Sequence, residues 1–105
     1  MVTSVSVLDL QSAQQRGDLV VDVREHFEYV GGHVPGATHI PMATVPLRID
    51  DFPSDRPVYV ICESGARSWQ VAAFLARHGR TAFNVEGGTS AWRASGLPID
   101  SGATS

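Results

Sequence analysis

Val58-Tyr59-Val60-Ile61 is an unbroken apolar run, followed at once by Cys62-Glu63-Ser64-Gly65-Ala66-Arg67-Ser68 and then by a helical pattern. This order of strand, cysteine, glycine-containing loop, arginine and helix restricts the fold more than any other stretch. A short run without polar alternation suits a strand covered on both faces, as in a parallel sheet lying between helices. The loop leaves the carboxyl end of that strand, where open α/β sheets collect their ligands. A helix starting just beyond it points free N–H groups and the positive end of its dipole back at the loop.

The rest of the chain alternates in the same way. Val5, Val7 and Leu8 read as a short first strand, Leu8 to Arg16 as a sparse helix stopped by Gly17, and Leu19-Val20-Val21-Asp22-Val23 as a second apolar strand. Arg24 directly follows that strand's carboxyl end, opening a short amphipathic helix to Val30 that closes at Gly31-Gly32. Beyond the Pro35-Gly36 turn come a brief strand at Thr38-His39-Ile40 and one or two helical turns around Pro46, between Met42 and Phe52. From Ser68 to His78, the apolar residues Trp69, Val71, Ala72, Phe74, Leu75 and Ala76 cover most of a helix surface, which predicts a largely buried helix. Ala82-Phe83-Asn84-Val85 reads as a last strand, Glu86-Gly87-Gly88 as a tight turn, and Thr89 as the cap of a final helix from Ser90 to Ala94.

Strands alternating with helices, with no repeat or linker, predict one α/β domain over residues 1–99. Its sheet should be mainly parallel, with helices on both faces. The Gly/Ser/Thr-rich segment 100–105 is expected to be a flexible tail. The chain of 105 residues is long enough to bury a core without disulfides or a structural metal.

A net charge of −3 with no Lys/Arg run excludes the electrostatic footprint of a nucleic-acid or anionic-membrane binder. No stretch approaches membrane-spanning length, and the opening Met1 to Val7 lacks the basic and apolar regions of a secretory signal, so the expectation is a cytoplasmic protein. A single cysteine rules out an intrachain disulfide, leaving Cys62 as either buried filler or a reactive thiol. His26, His33, His39 and His78 have neither helical i,i+4 spacing nor a Cys/His cluster, so no metal is expected. Trp69 and Trp92 read as packing residues, Trp69 lying near enough to the loop to wall its pocket.

A free thiol is mostly protonated at neutral pH, but helix N-terminal amides and a nearby cation depress its pKa. Gly65 permits a backbone turn that gathers consecutive N–H groups, Arg67 brings a permanent cation suited to oxyanions, and Ser68 can cap the helix or donate to sulfur. Asp22 and Arg24 are read as an ion pair or a set of hydrogen bonds that fixes the loop architecture, ahead of the alternative that Arg24 meets substrate. Glu63, next to the cysteine, would repel a dianionic substrate if it pointed into the mouth.

The loop resembles the C-x-x-G-x-R active-site loop of rhodanese-like sulfurtransferases. The segments Asp22-Val23-Arg24-Glu25, Glu28-Tyr29 and Gly32-His33-Val34-Pro35-Gly36-Ala37 look like that family's other signature, and Gly87-Gly88, Ala91-Trp92 and Gly96-Leu97-Pro98 are similar to its usual close. The resemblance implies a sulfurtransferase without metal or organic cofactor, in which Cys62 takes a sulfane sulfur from a small donor anion such as thiosulfate. A persulfide on Cys62 would pass that sulfur to cyanide or a thiol, including a thiol on a partner protein. Cys62 and Arg67 would be catalytic, and Glu63, Ser64, Gly65, Ala66 and Ser68 would bind substrate. Cysteine phosphatases and arsenate reductases share the layout of cysteine, loop and arginine. The phosphatases resemble C-x-x-x-x-x-R, whereas only four residues separate Cys62 from Arg67, and no resolving cysteine exists for arsenate reduction. A regulatory binding module or sulfur relay is the remaining alternative, against which the retained Cys62 and Arg67 argue for chemistry.

Overall fold

The computed structural model describes residues 2–104. Five strands, β1 (Thr3–Val5), β2 (Leu19–Asp22), β3 (Thr38–His39), β4 (Val58–Ile61) and β5 (Ala82–Val85), form one sheet in the order β1-β5-β4-β2-β3. Every pairing is parallel. The helices α1 (Val7–Arg16), α2 (His26–Gly31), α3 (Ala66–Arg77) and α4 (Gly88–Ala94), with a 3₁₀ segment over Met42–Asp51, make the connections. The expected α/β fold, with a parallel sheet and helices on both faces, is the one observed.

The pleat of the strands explains the layers, because successive side chains leave on opposite faces. Val20, Tyr59, Ile61 and Val85 pack with Val7, Leu10 and Ala13 of α1 and Trp92 of α4. Val21, Val58 and Val60 pack on the other side with Val71, Ala72 and Leu75 of α3 and with Val45 of the 3₁₀ segment. All four residues of β4 are buried. Covering a Val or Ile side chain contributes about 1.5–3 kcal/mol relative to exposing it, so the most apolar strand takes the centre.

The amino-terminal expectation needs correcting: the first strand ends at Val5, and Val7 and Leu8 belong to α1. Ser6 ends the strand by capping the helix, its Oγ accepting from Asp9 N at 3.1 Å while its own N–H donates to Asp9 Oδ2 at 3.2 Å. This reciprocal pair satisfies helix-end donors that a continued strand would leave to solvent. At the other end, α4 begins at Gly88 with Gly87 as its cap, so Thr89 lies inside the helix instead of capping it. Helix α3 buries a stripe made by Ser68, Val71, Ala72 and Leu75, whereas Trp69 remains 48 % exposed. The sheet offers that helix a single face, so an apolar surface wider than the stripe is left uncovered.

Residues 100–102 lie against the 30–33 stretch. Asp100 and His33 exchange both backbone hydrogen bonds, at 2.8 and 3.0 Å, and Gly102 N donates to Val30 O at 2.9 Å. Among the described residues, no helix is long and apolar enough to cross a membrane.

Candidate active site

Cys62 follows the last residue of β4 and is 1 % exposed. Its Sγ accepts a hydrogen bond from Gly65 N at 3.1 Å and lies 3.3 Å from Ser68 Oγ. Gly65 makes this possible: at φ 106° it occupies backbone space that L side chains avoid, and it serves as the N-cap of α3. Burial pushes the Cys62 thiol up, but the Ser68 hydroxyl and the amides of Ser68, Gly65 and Ser64 outweigh it and hold the thiol below its ordinary value. Neutral donors thus favour the thiolate, as the loop's glycine and helix start suggest. Ser64 and Ala66 are exposed at the rim, whereas Ser68 is fully buried beside the sulfur.

The loop rests on the start of α4. Thr89 N and Thr89 Oγ1 both donate to Cys62 O, at 2.9 and 3.1 Å, and Ser90 N donates to Glu63 O at 3.0 Å. Gly88, at φ +57°, leaves no room for a side chain: a Cβ there would overlap Cys62 O and stand 2.6 Å from Glu63 O. The sequence marks Gly87-Gly88 as a turn; its further task is to bring α4 against the carbonyls of the cysteine loop.

Charged groups hold the outside of the same loop. Arg24 and Asp22, 1 % and 0 % exposed, pair at 2.8 Å. Arg24 also reaches Glu63 Oε1 at 3.0 Å and donates to Gly32 O at 2.7 Å, so it joins β2, the cysteine loop and the end of α2. Asp22 and Arg24 thus make both an ion pair and hydrogen bonds to one another. Glu63 is held on the α4 side as well, accepting from Ser90 Oγ at 2.6 Å and from Arg93 Nη1 at 3.3 Å. The Ser90 bond, with Arg24 and Arg93 beside it, keeps its carboxyl below the usual carboxylate range.

Arg67 lies on the first turn of α3, and its guanidinium is engaged by Glu28 of α2 in a bidentate pair at 2.8 and 3.0 Å. Its hydrogen bond holds Glu28 down at about 2, and the Arg67 guanidinium is held further toward its charged form, chiefly by Glu28 and to a lesser degree by the Cys62 thiolate. Its charge is therefore offset first by a carboxylate. Nothing in the sequence singles out Glu28 as this partner, because the contact spans 39 residues.

Asn84 is also absent from the sequence-based site. It is 4 % exposed, and its Oδ1 lies 2.6 Å from Ser68 Oγ. Its one sequence signal is an amide inside an otherwise apolar strand. Of the histidines, His33, His39 and His78 each place a ring nitrogen 2.7 to 2.8 Å from a backbone carbonyl. Trp92 is buried, donating from Nε1 to Pro98 O at 2.7 Å. Trp69 instead lines an open groove of about 370 Å³ with Met42, Val45, Pro46, Phe74 and Arg77.

Known proteins resemble this chain over most of its length. The family model for the rhodanese-like domain matches residues 6–95. A sulfurtransferase of Allochromatium vinosum is 40 % identical over 101 residues, covering 90 % of this chain and 94 % of that protein. A thiosulfate sulfurtransferase of Pseudomonas entomophila is 35 % identical, over 74 % of this chain and 72 % of its own length. Among solved structures, a rhodanese-related protein of Thermoplasma volcanium superimposes with a TM-score of 0.87 at 31 % identity, covering 93 % of this chain and 97 % of its own. With its cysteine loop, parallel sheet and buried Asp22–Arg24 support, the chain belongs to the rhodanese-like domain family.

Proposed function

We propose that the protein is a sulfurtransferase that carries a sulfane sulfur on Cys62 between a small anionic donor and a nucleophilic acceptor. The observation that carries this reading is the sulfur itself, buried and ringed by the Gly65 amide at 3.1 Å and the Ser68 hydroxyl at 3.3 Å. Such a site stabilises a sulfur anion without metal or organic cofactor. Relatives named sulfurtransferases support the same class.

With thiosulfate as donor, the Cys62 thiolate attacks the outer sulfur, an S–S bond forms at Sγ, and the bond to the sulfonate breaks with sulfite leaving. The terminal sulfur of the persulfide then carries the negative charge, within reach of the loop amides from Glu63 to Ser68. Cyanide or a thiolate attacks that terminal sulfur in the second step. Thiocyanate or a new persulfide departs, and Cys62 is released as thiolate. Charge is conserved in each step, and no outside oxidant is needed. Glu63, bound to Arg24 and Arg93, has its charge compensated, which weakens the repulsion of a dianion that its position suggests. Arg67, tied to Glu28, would attract an anionic donor.

A thiol on a partner protein suits the acceptor role, because Trp69 on the first turns of α3 is 48 % exposed and opens onto an apolar groove. A cytoplasmic setting, where thiols stay reduced, fits such an exchange.

Intact-mass measurement after incubation with thiosulfate should show one added sulfur, removed by cyanide and absent from Cys62→Ser. An unmodified mass with thiosulfate and with every other sulfane donor, or an adduct that survives Cys62→Ser, would overturn the proposal.

A further inference from the structure

The Ser68 hydroxyl has two claims on a single proton. Its Oγ is 2.6 Å from Asn84 Oδ1 and 3.3 Å from Cys62 Sγ; to the amide oxygen it must donate, and to the sulfur it donates when the sulfur is ionised. In the arrangement shown the amide oxygen, at the shorter distance, competes with the sulfur for that proton. The amide of Asn84 is then completed on its far side, where Nδ2 donates to Ser4 Oγ at 3.1 Å. Ser4 lies on the edge strand β1 and is exposed, so it exchanges hydrogen bonds with water freely.

The two ends of a carboxamide have nearly the same shape and opposite hydrogen-bond polarity. Turned over, Asn84 would place Nδ2 against Ser68 and Oδ1 against Ser4. Nδ2 would donate to Ser68 Oγ, whose proton would then have only the sulfur to serve. The Ser4 hydroxyl, turning from water, would donate to Oδ1, so no buried polar atom is orphaned. The two orientations suit the two states of the sulfur. With Oδ1 inward, Ser68 accepts from the Cys62 thiol; with Nδ2 inward, Ser68 donates to the thiolate or to the sulfur bonded to it in a persulfide.

We propose that Asn84 is a positioning residue whose amide orientation directs the Ser68 proton toward or away from Cys62, coupling the charge on sulfur to a hydrogen-bond relay that ends at Ser4. The inference rests on Cys62 reacting as a thiolate. The charged groups around the sulfur are Arg67 of α3 with Glu28 of α2, and the Asp22, Arg24, Glu63 and Arg93 set outside the loop. None of them hydrogen-bonds Ser68 or Asn84. The relay is therefore made of neutral groups, and its polarity is free to reverse.

Asn84→Asp tests it, because a carboxylate only accepts and would hold the Ser68 proton off the sulfur. Alkylation of Cys62 followed against pH should then be about tenfold slower at neutral pH, the effect of one lost charge-assisted hydrogen bond. In a Ser68→Ala background the same substitution should slow alkylation much less. An Asn84→Asp rate equal to wild type, or an equal slowing with and without Ser68, would overturn the proposal. Wild-type protein supplies a second readout that requires no variant to fold. The Asn84 side-chain amide resonances should move with the Cys62 titration midpoint, and amide resonances that stay flat through it would contradict the relay. Sulfur loading seen by intact mass reads the sulfurtransferase assignment separately: loading with an insensitive Asn84 sinks the relay alone, and a responsive Asn84 without loading sinks the assignment alone.

Discussion

The inner and outer sides of the Cys62–Ser68 loop are built from different chemistry. Inside, the sulfur meets the Gly65 amide and the Ser68 hydroxyl, both neutral donors. Outside, the loop is pinned by charge: Arg24 to Asp22 and Glu63, Arg93 to Glu63, and Arg67 to Glu28. Fixed dipoles in a buried site stabilise an anion without adding a mobile countercharge that a departing anion would have to leave. Full charges are placed where they cross-link elements distant in sequence. The contrast separates two jobs, acidity within and architecture without.

The largest effect should come from breaking the outer side at Arg24. Arg24→Ala strands Asp22, which is 0 % exposed, as a buried carboxylate without its partner. Removing one member of such a pair costs about 3–5 kcal/mol. Chemical denaturation should show that loss, together with a displaced Glu63; a variant as stable as wild type would remove the architectural role of the pair. A smaller loss is expected at Gly88, where a methyl would meet the Cys62 and Glu63 carbonyls. Gly88→Ala should lose about 1–3 kcal/mol through overpacking and the positive φ. It should also slow sulfur transfer, since the loop must shift to admit the methyl. Unchanged thermal unfolding and unchanged turnover together would show that the loop does not depend on its seat.

How much of this was legible in the sequence follows the same division. Strands β2, β4 and β5 are legible because central parallel strands are apolar on both faces, a signal contained within four residues each. The inner side of the loop is legible for a related reason: Cys62, Gly65 and Ser68 are neighbours whose spacing alone brings amides and hydroxyl to one point. The Asp22–Arg24 pair, two residues apart, is just as local. What sequence reading misses is carried by distant contacts. Glu28 meets Arg67 and Ser68 meets Asn84 only after the sheet has formed. Trp69 is misjudged because apolar content does not reveal which face of α3 the sheet leaves open. Val7 goes to the wrong element because an apolar residue suits either a strand or a helix start, and the Ser6–Asp9 cap decides.

Neutral donors, more than the Arg67 cation, set the acidity of Cys62. The most direct measurement is Cys62 alkylation rate against pH in wild type, Ser68→Ala and Arg67→Ala. Because the thiol is held below its ordinary value, the wild-type rate should rise at lower pH than that of a model thiol. Ser68→Ala should carry the midpoint upward. The Ser68 hydroxyl is the largest of the influences that lower the thiol, so Arg67→Ala should raise the midpoint less than Ser68→Ala does. A larger upward shift in Arg67→Ala than in Ser68→Ala, or a wild-type curve that coincides with the model thiol, would contradict the account.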